Sequence, residues 1–218
     1  MSLDAFSPVE SSEPGSGRAQ IAILAATEQL LRERPLNELS VADIIAAADI
    51  SRTTFYSHFT SKTAVVAEAL RRVMDQVMVV TDPFLADPAM SLEGAIRTSL
   101  QGWVEICSVH GALLRAVSEE WPHDEQLRTR WLEMLERASA RTARVIRAAR
   151  RDGHAPAGAD ADALSACLIW GYERVLHLAL VGGARGLRDP EAVVEPLAQM
   201  MLGGLYGRSP SPPTQPVS

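Results

Sequence analysis

Cysteine is nearly missing from this chain: two in 218 residues, Cys107 and Cys167, each inside an apolar helical pattern with no metal-ligand neighbour. That excludes a disulfide framework and a thiolate metal site, and predicts two buried free thiols in a reducing compartment. Histidine is also sparse, and none of the five forms a metal-type pair at helical spacing. There is no Gly-rich phosphate loop. Strand-like alternation of polar and apolar residues is absent, which leaves an all-α fold. No apolar run reaches the length of a membrane span, and Met1 to Gly17 lacks the apolar core of a signal peptide. Positive charge is not in excess either. A net charge of −6 excludes general coating of nucleic acid as the main task, but leaves room for a local basic patch on an acidic body.

What is present is a folded, helical composition: 47% hydrophobic and 22% charged residues, enough for a substantial core. The densest information lies from Ser40 to Lys62, SVADIIAAADISRTTFYSHFTSK. Ser40 is a good N-cap, with Asp43 three residues on to help satisfy the free amides of the first turn. Val41, Ile44, Ile45 and Ala48 keep one face apolar. Asp49 and Ile50 make a turn, and Ser51 caps a second helix. There Phe55 and Phe59, four apart, anchor a small core. Thr53 and Ser57 point away from them, Thr54 and Tyr56 flank, and Arg52 and His58 lie at the edges. Such an outer face suits a DNA major groove: hydroxyls and cations reach phosphates, and short side chains let the helix approach base edges. Lys62, at the head of the next helix, is placed for a phosphate. A helical hairpin with a merely solvated face is the plainer alternative.

Around this stretch the chain reads in order. Residues 1–17, rich in Ser, Pro, Glu and Gly, are expected to form a disordered arm. A helix from Arg18 to Arg34, ended by Pro35, completes a three-helix unit over 18–62. Ser61 caps a long helix to about Thr81 that can touch both this unit and the remainder. Asp82-Pro83 and Asp87-Pro88 bracket a loop. Further helices are expected from Ser91, ended at Gly111 with a short successor; from Asp124 to Asp152; from Asp160 or Asp162 to about Val181; and from Asp189-Pro190 to Leu205. Together these make about nine helices, with a Pro/Ser tail over 208–218. Arg137, Arg141, Arg144, Arg147 and Arg151 form an outer face, expected to be solvated and paired with acids. The helix ending near Val181 is apolar on nearly every side, so a second copy of the chain is its expected cover.

Inward faces of these helices carry Met74, Met78, Trp103, Ile106, Cys107, Trp131, Met134, Leu135, Trp170 and Tyr172, followed by Glu173. Each could be ordinary core. Gathered in one bundle, they also match the wall of an apolar ligand cavity. Cys107 and His110 share a face, but no third orienting group accompanies them, so a packed thiol beside a partly buried His is the better reading. Catalysis has little support. No catalytic residues, metal or cofactor are expected.

The run S-R-T-T-F-Y-S-H-F-T-S-K resembles the recognition-helix signature of TetR-family transcriptional regulators. Asp49 stands where that family usually has Gly, and Asp tolerates the left-handed backbone such a turn needs. From about residue 21 to 206 the chain further resembles the EthR-like branch. The shared features are I-S-R-x-T-F-Y, the segment Arg97 to Glu105, the pattern at His110, and the pair Glu173-Arg174. The resemblance implies a cytoplasmic bacterial homodimer that binds a palindromic double-stranded DNA operator, as one dimer or two, through residues 18–62. Residues 63–207 would dimerise and enclose a long hydrophobic tunnel for a small-molecule effector. Trp103 and Trp131 fall at the branch's pocket aromatics, and Tyr172 stands where the branch has an Asn amide. The function so implied is repression relieved by a hydrophobic effector. A helical carrier or sensor of hydrophobic molecules without DNA binding is the alternative, and a cysteine-dependent enzyme a weaker third.

Overall fold

The computed structural model describes residues 16–80, 90–183, 185–187 and 189–207. Among them are nine α-helices: α1 Ser16–Glu33, α2 Val41–Ala47, α3 Arg52–His58, α4 Lys62–Val80, α5 Leu92–Val109, α6 Gly111–Glu120, α7 Glu125–Arg151, α8 Ala161–Leu180 and α9 Val194–Tyr206. Two short 3₁₀ turns, Leu36–Glu38 and Glu191–Val193, lead into α2 and α9. The first helix begins two residues earlier than the sequence pattern predicts. The rest of the expected N-terminal arm, the loop with the two Asp-Pro pairs, and the C-terminal tail lie outside the described residues.

Local chemistry accounts for most helix starts. Ser40 and Asp43 form a reciprocal capping box on α2: the Ser40 amide donates to Asp43 Oδ2 at 2.8 Å, and the Asp43 amide donates to Ser40 Oγ at 3.2 Å. The Ser40 hydroxyl, which donates to the same carboxylate, together with the Ser40 amide and Arg34 nearby, holds the Asp43 carboxyl below its usual range. Ser51, Ser61, Ser91, Asp124 and Asp160 each accept from a first-turn amide of the following helix. Between α2 and α3, Asp49 takes φ of 51°, the left-handed turn its position requires.

Packing then divides the molecule. Helices α1, α2 and α3 gather around Ile23, Leu24, Leu31, Ile44 and Phe55, all essentially inaccessible to solvent. Helices α7 and α8 pack along their length as an antiparallel pair, and α4, α5, α6 and α9 surround them. The long helix α4 belongs to both groups: Val65, Val66 and Leu70 are fully buried beside the N-terminal unit, and Val77 lies in the body. Arg97 on α5 grips Glu195 on α9 through two hydrogen bonds of 2.9 and 3.0 Å, and also pairs with Glu93. A second tie runs from the N-terminal unit into the body: His110, between α5 and α6, shares a hydrogen bond of 2.8 Å with Glu28 on α1. Both side chains are buried, and Arg115 donates to the Leu31 carbonyl nearby at 3.3 Å.

Candidate functional site

The outer face of α3 follows from its anchors. Phe55 and Phe59 are buried with ring centroids 6.2 Å apart, so Arg52, Thr53, Tyr56 and Ser57 are forced outward and exposed. Arg52 lies over the Tyr56 ring, 5.4 Å from its centroid, which holds a cation and a phenol together at one edge. Thr54 is half-buried, its hydroxyl 2.8 Å from Ser51 Oγ, and Ser57 Oγ donates to the Thr54 carbonyl. Thr53 therefore offers the outermost short polar side chain, beside Arg52 and Tyr56. His58 is half-buried, its ring beside Phe59.

Lys62, the chain's single lysine, is turned the other way. Its ammonium donates to the carbonyls of Leu36 at 2.8 Å, Asn37 at 3.4 Å and Leu39 at 2.7 Å. An ammonium has three protons, and three carbonyls take them. The expected phosphate contact through Lys62 is thus corrected: this side chain clamps the turn before α2 onto the start of α4. Ser40 is likewise engaged, donating from Oγ to Asp43 at 2.7 Å.

Within the body lies a cavity of about 580 Å³ enclosed by α4 to α9. Its wall includes Met74, Met78, Trp103, Cys107, Trp131, Met134, Leu135, Tyr172 and Glu173. It opens between α4 and α7, where Asp75, Met78, Arg137 and Arg144 are exposed. Trp103 and Tyr172 meet at 6.4 Å between centroids. The Tyr172 hydroxyl donates to the Leu197 carbonyl at 2.9 Å, so its ring faces the cavity while its proton is used to fasten α8 to α9. Burial pushes the Cys107 thiol and the Tyr172 phenol well above their ordinary values, so neither ionises near neutral pH. Cys107 is a wall residue, and His110 is occupied with Glu28; a thiol–base couple does not form.

Comparison with known proteins agrees with both halves. Residues 23–69 match the family described as bacterial regulatory proteins, tetR family, and residues 96–207 match the C-terminal domain of transcriptional regulator EthR. The HTH-type transcriptional regulator EthR of Mycobacterium tuberculosis is 32% identical over 200 residues, covering 91% of this chain and 92% of that protein. The chain belongs to the TetR family of transcriptional regulators. Its counterpart in Mycolicibacterium smegmatis is 30% identical over 200 residues, covering 92% of each. Among solved structures, the fatty acid degradation regulator FadR from Bacillus halodurans shares the fold with a TM-score of 0.71 at 19% identity, over 91% of this chain and all of that one.

In this TetR-family regulator three further expectations need correction. Ile106 and Trp170 do not line the cavity. Ile106 is buried in the surrounding core, and Trp170 is 40% exposed on the outer face of α8. Cys167 shares that outer face, so the expectation of two buried thiols holds only for Cys107. The third correction concerns the arginine face of α7. Arg147 and Arg151 do pair with acids, at Asp162 and Asp152. Arg137, Arg141 and Arg144 instead border the cavity, with Arg141 donating to the Met78 carbonyl at 3.0 Å. Sequence reading missed Ser118, which lines the cavity; its spacing within α6 carries no signal for that.

Proposed function

We propose that this regulator is a homodimeric repressor that holds a palindromic operator through α3 and releases it when an elongated, mostly apolar molecule fills the cavity. The observation that carries the reading is the dual membership of α4. Its first turns pack against α1 and, through Lys62, hold the turn before α2, and its later residues Met74, Val77 and Met78 form cavity wall. A ligand pressing on that wall acts on the element that carries the DNA-reading unit. Displacing two recognition helices from successive grooves needs only a ligand that prefers the misaligned arrangement. On α3, Thr53 is best placed for base edges, with Arg52 and Tyr56 for phosphates and Ser57 and His58 beside them.

Dimer formation is read from the outer face of α8 and α9. Cys167 and Trp170 on α8, and Met200, Gly203 and Tyr206 on α9, form an exposed, largely apolar surface. Leu176 is unsuited to that role, since it is buried and lines the cavity. Trp170→Asp should convert the dimer to monomer in sedimentation and weaken operator binding by at least ~10-fold; an unchanged dimer would remove this face from consideration.

The switch is tested by titrating operator release in a mobility-shift assay against an apolar effector, with tryptophan quenching in parallel. Trp103→Ala should shift the release curve to higher concentration while leaving effector-free DNA affinity within about 2-fold. A curve that coincides with wild type would make Trp103 ordinary packing. The alternative of a carrier without DNA binding fits the exposed polar face of α3 less well, and absence of any shift with DNA flanking the gene would favour it.

A further inference from the structure

Three residues of the cavity wall share a property. Ser118 Oγ on α6, Trp131 Nε1 on α7 and both carboxyl oxygens of Glu173 on α8 are buried and have no hydrogen-bond partner among the described residues. The Glu173 side chain is only 8% exposed. Its one charged neighbour is Arg174, at 3.6 Å, beyond hydrogen-bonding distance, on a guanidinium more than half in solvent. A buried carboxyl without a donor is costly, and native proteins rarely keep one except where something else is recognised. The other polar groups around the cavity are differently placed. The Tyr172 proton is spent on Leu197, Arg141 holds the Met78 carbonyl, Asp75 pairs with Arg71, and Arg137 donates to the Glu133 carbonyl. Arg137 and Arg144 are exposed at the rim, where solvent and salt screen them. Inside the wall, burial and Arg174 hold His177 toward its neutral form. The strongest unmet demand within the cavity is therefore for a hydrogen-bond donor.

We propose that Glu173 is the polar handle of the cavity and selects effectors bearing an N–H donor, as an amine or a carboxamide, on an otherwise apolar chain. The proposal rests on the reading of the cavity as the effector site and adds the chemistry that site prefers. Trp131 Nε1 supplies a donor and Ser118 Oγ either role, so a carboxamide has partners for its oxygen as well as its nitrogen. A ligand ammonium offsets the burial cost of the carboxylate. A ligand carboxylate adds a second uncompensated charge beside it and is disfavoured at this position. An ester carbonyl can accept from Trp131 Nε1 or Ser118 Oγ but brings no donor to Glu173.

The test uses four probes built on a ten-carbon chain, each below its aggregation concentration: 1-decylamine, decanamide, methyl decanoate and decanoate. Binding to the full-length protein is followed by tryptophan quenching and by operator release. Wild type should bind decylamine or decanamide ~10-fold or more tightly than methyl decanoate, with decanoate weakest. The amine and the amide then tell a charge-assisted from a neutral donor. Glu173→Gln should compress the preference for the N–H probe to about 2-fold or less while methyl decanoate binds as well as before. Glu173→Leu, with its melting curve, serves as the second variant, and should bind methyl decanoate best of the four. Equal binding of ester and amide by wild type, decanoate ranking first, or a preference that survives in both variants would overturn the role of Glu173 alone. Failure of all four probes to quench or to release DNA would overturn the cavity reading and this inference together.

Discussion

The DNA-reading unit and the cavity-bearing body solve the problem of buried polar groups in opposite ways. In the first, polar atoms that approach the core are closed by neighbours: Thr27 by the Ile23 carbonyl at 2.8 Å, Glu28 by His110, and the carbonyls before α2 by Lys62. In the second, polar atoms of Ser118, Trp131 and Glu173, on residues that line the cavity, stay buried and unpaired among the described residues. A unit that must present one face at fixed geometry gains from having no loose ends. A body that must accept a guest keeps some unpaired, because a group already satisfied has nothing to offer a ligand.

That contrast can be broken by paired truncations. Phe55→Ala should cost ~3–5 kcal/mol in chemical denaturation, since a fully buried ring on a filled core leaves a hole when removed. Trp103→Ala should cost clearly less, roughly 1–2 kcal/mol, because one side of that ring faces open cavity and has fewer contacts to lose. Equal costs would mean the body is packed as tightly as the N-terminal unit.

A smaller effect is expected at Lys62. Lys62→Met keeps the stem but strands three carbonyls, which should lower stability by ~1–3 kcal/mol and weaken binding to every DNA sequence alike. The dependence of binding on salt should stay that of wild type, since the ammonium is engaged away from DNA. A salt slope reduced by about one would restore a phosphate contact. Least of all should change at Asp49. Replacing it with Gly removes the left-handed penalty at φ 51° but adds backbone freedom to the unfolded chain, for a net gain under ~1 kcal/mol. A loss on Asp49→Gly would show that the carboxylate contributes something the backbone does not.

Local features of this chain were readable from its residues. Serine and aspartate caps, the Asp49 turn and the two Phe anchors of α3 each act within four residues, and a helical wheel resolves them. Contacts between distant segments were not. Lys62 reaches back 26 residues to the Leu36 carbonyl, and Glu28 finds His110 across 82. Nothing in either neighbourhood announces its partner. Among cavity residues, periodicity separated wet from dry faces but could not separate a dry face on packed core from one on open space. Hence Trp103, Cys107, Trp131, Met134 and Leu135 lie on the cavity wall, while Ile106 went to core and Trp170 to the surface. Among the arginines of α7, Arg147 and Arg151 pair with acids and Arg137 and Arg144 are solvated as expected. The rim position of Arg137, Arg141 and Arg144 was not legible: long side chains at a cavity rim have the same spacing as those on a solvated face.

The bond between Glu28 and His110 has a mechanical consequence. Had α1 been joined to the body through α4 alone, the DNA-reading unit would be a pendulum on a single stem, free to swing in two directions. A second fastening, buried and reinforced by Arg115 on Leu31, leaves it one easy motion: rotation about the line through both attachments. Under the proposed switch, a push on α4 should then turn α3 rather than be dissipated in sway.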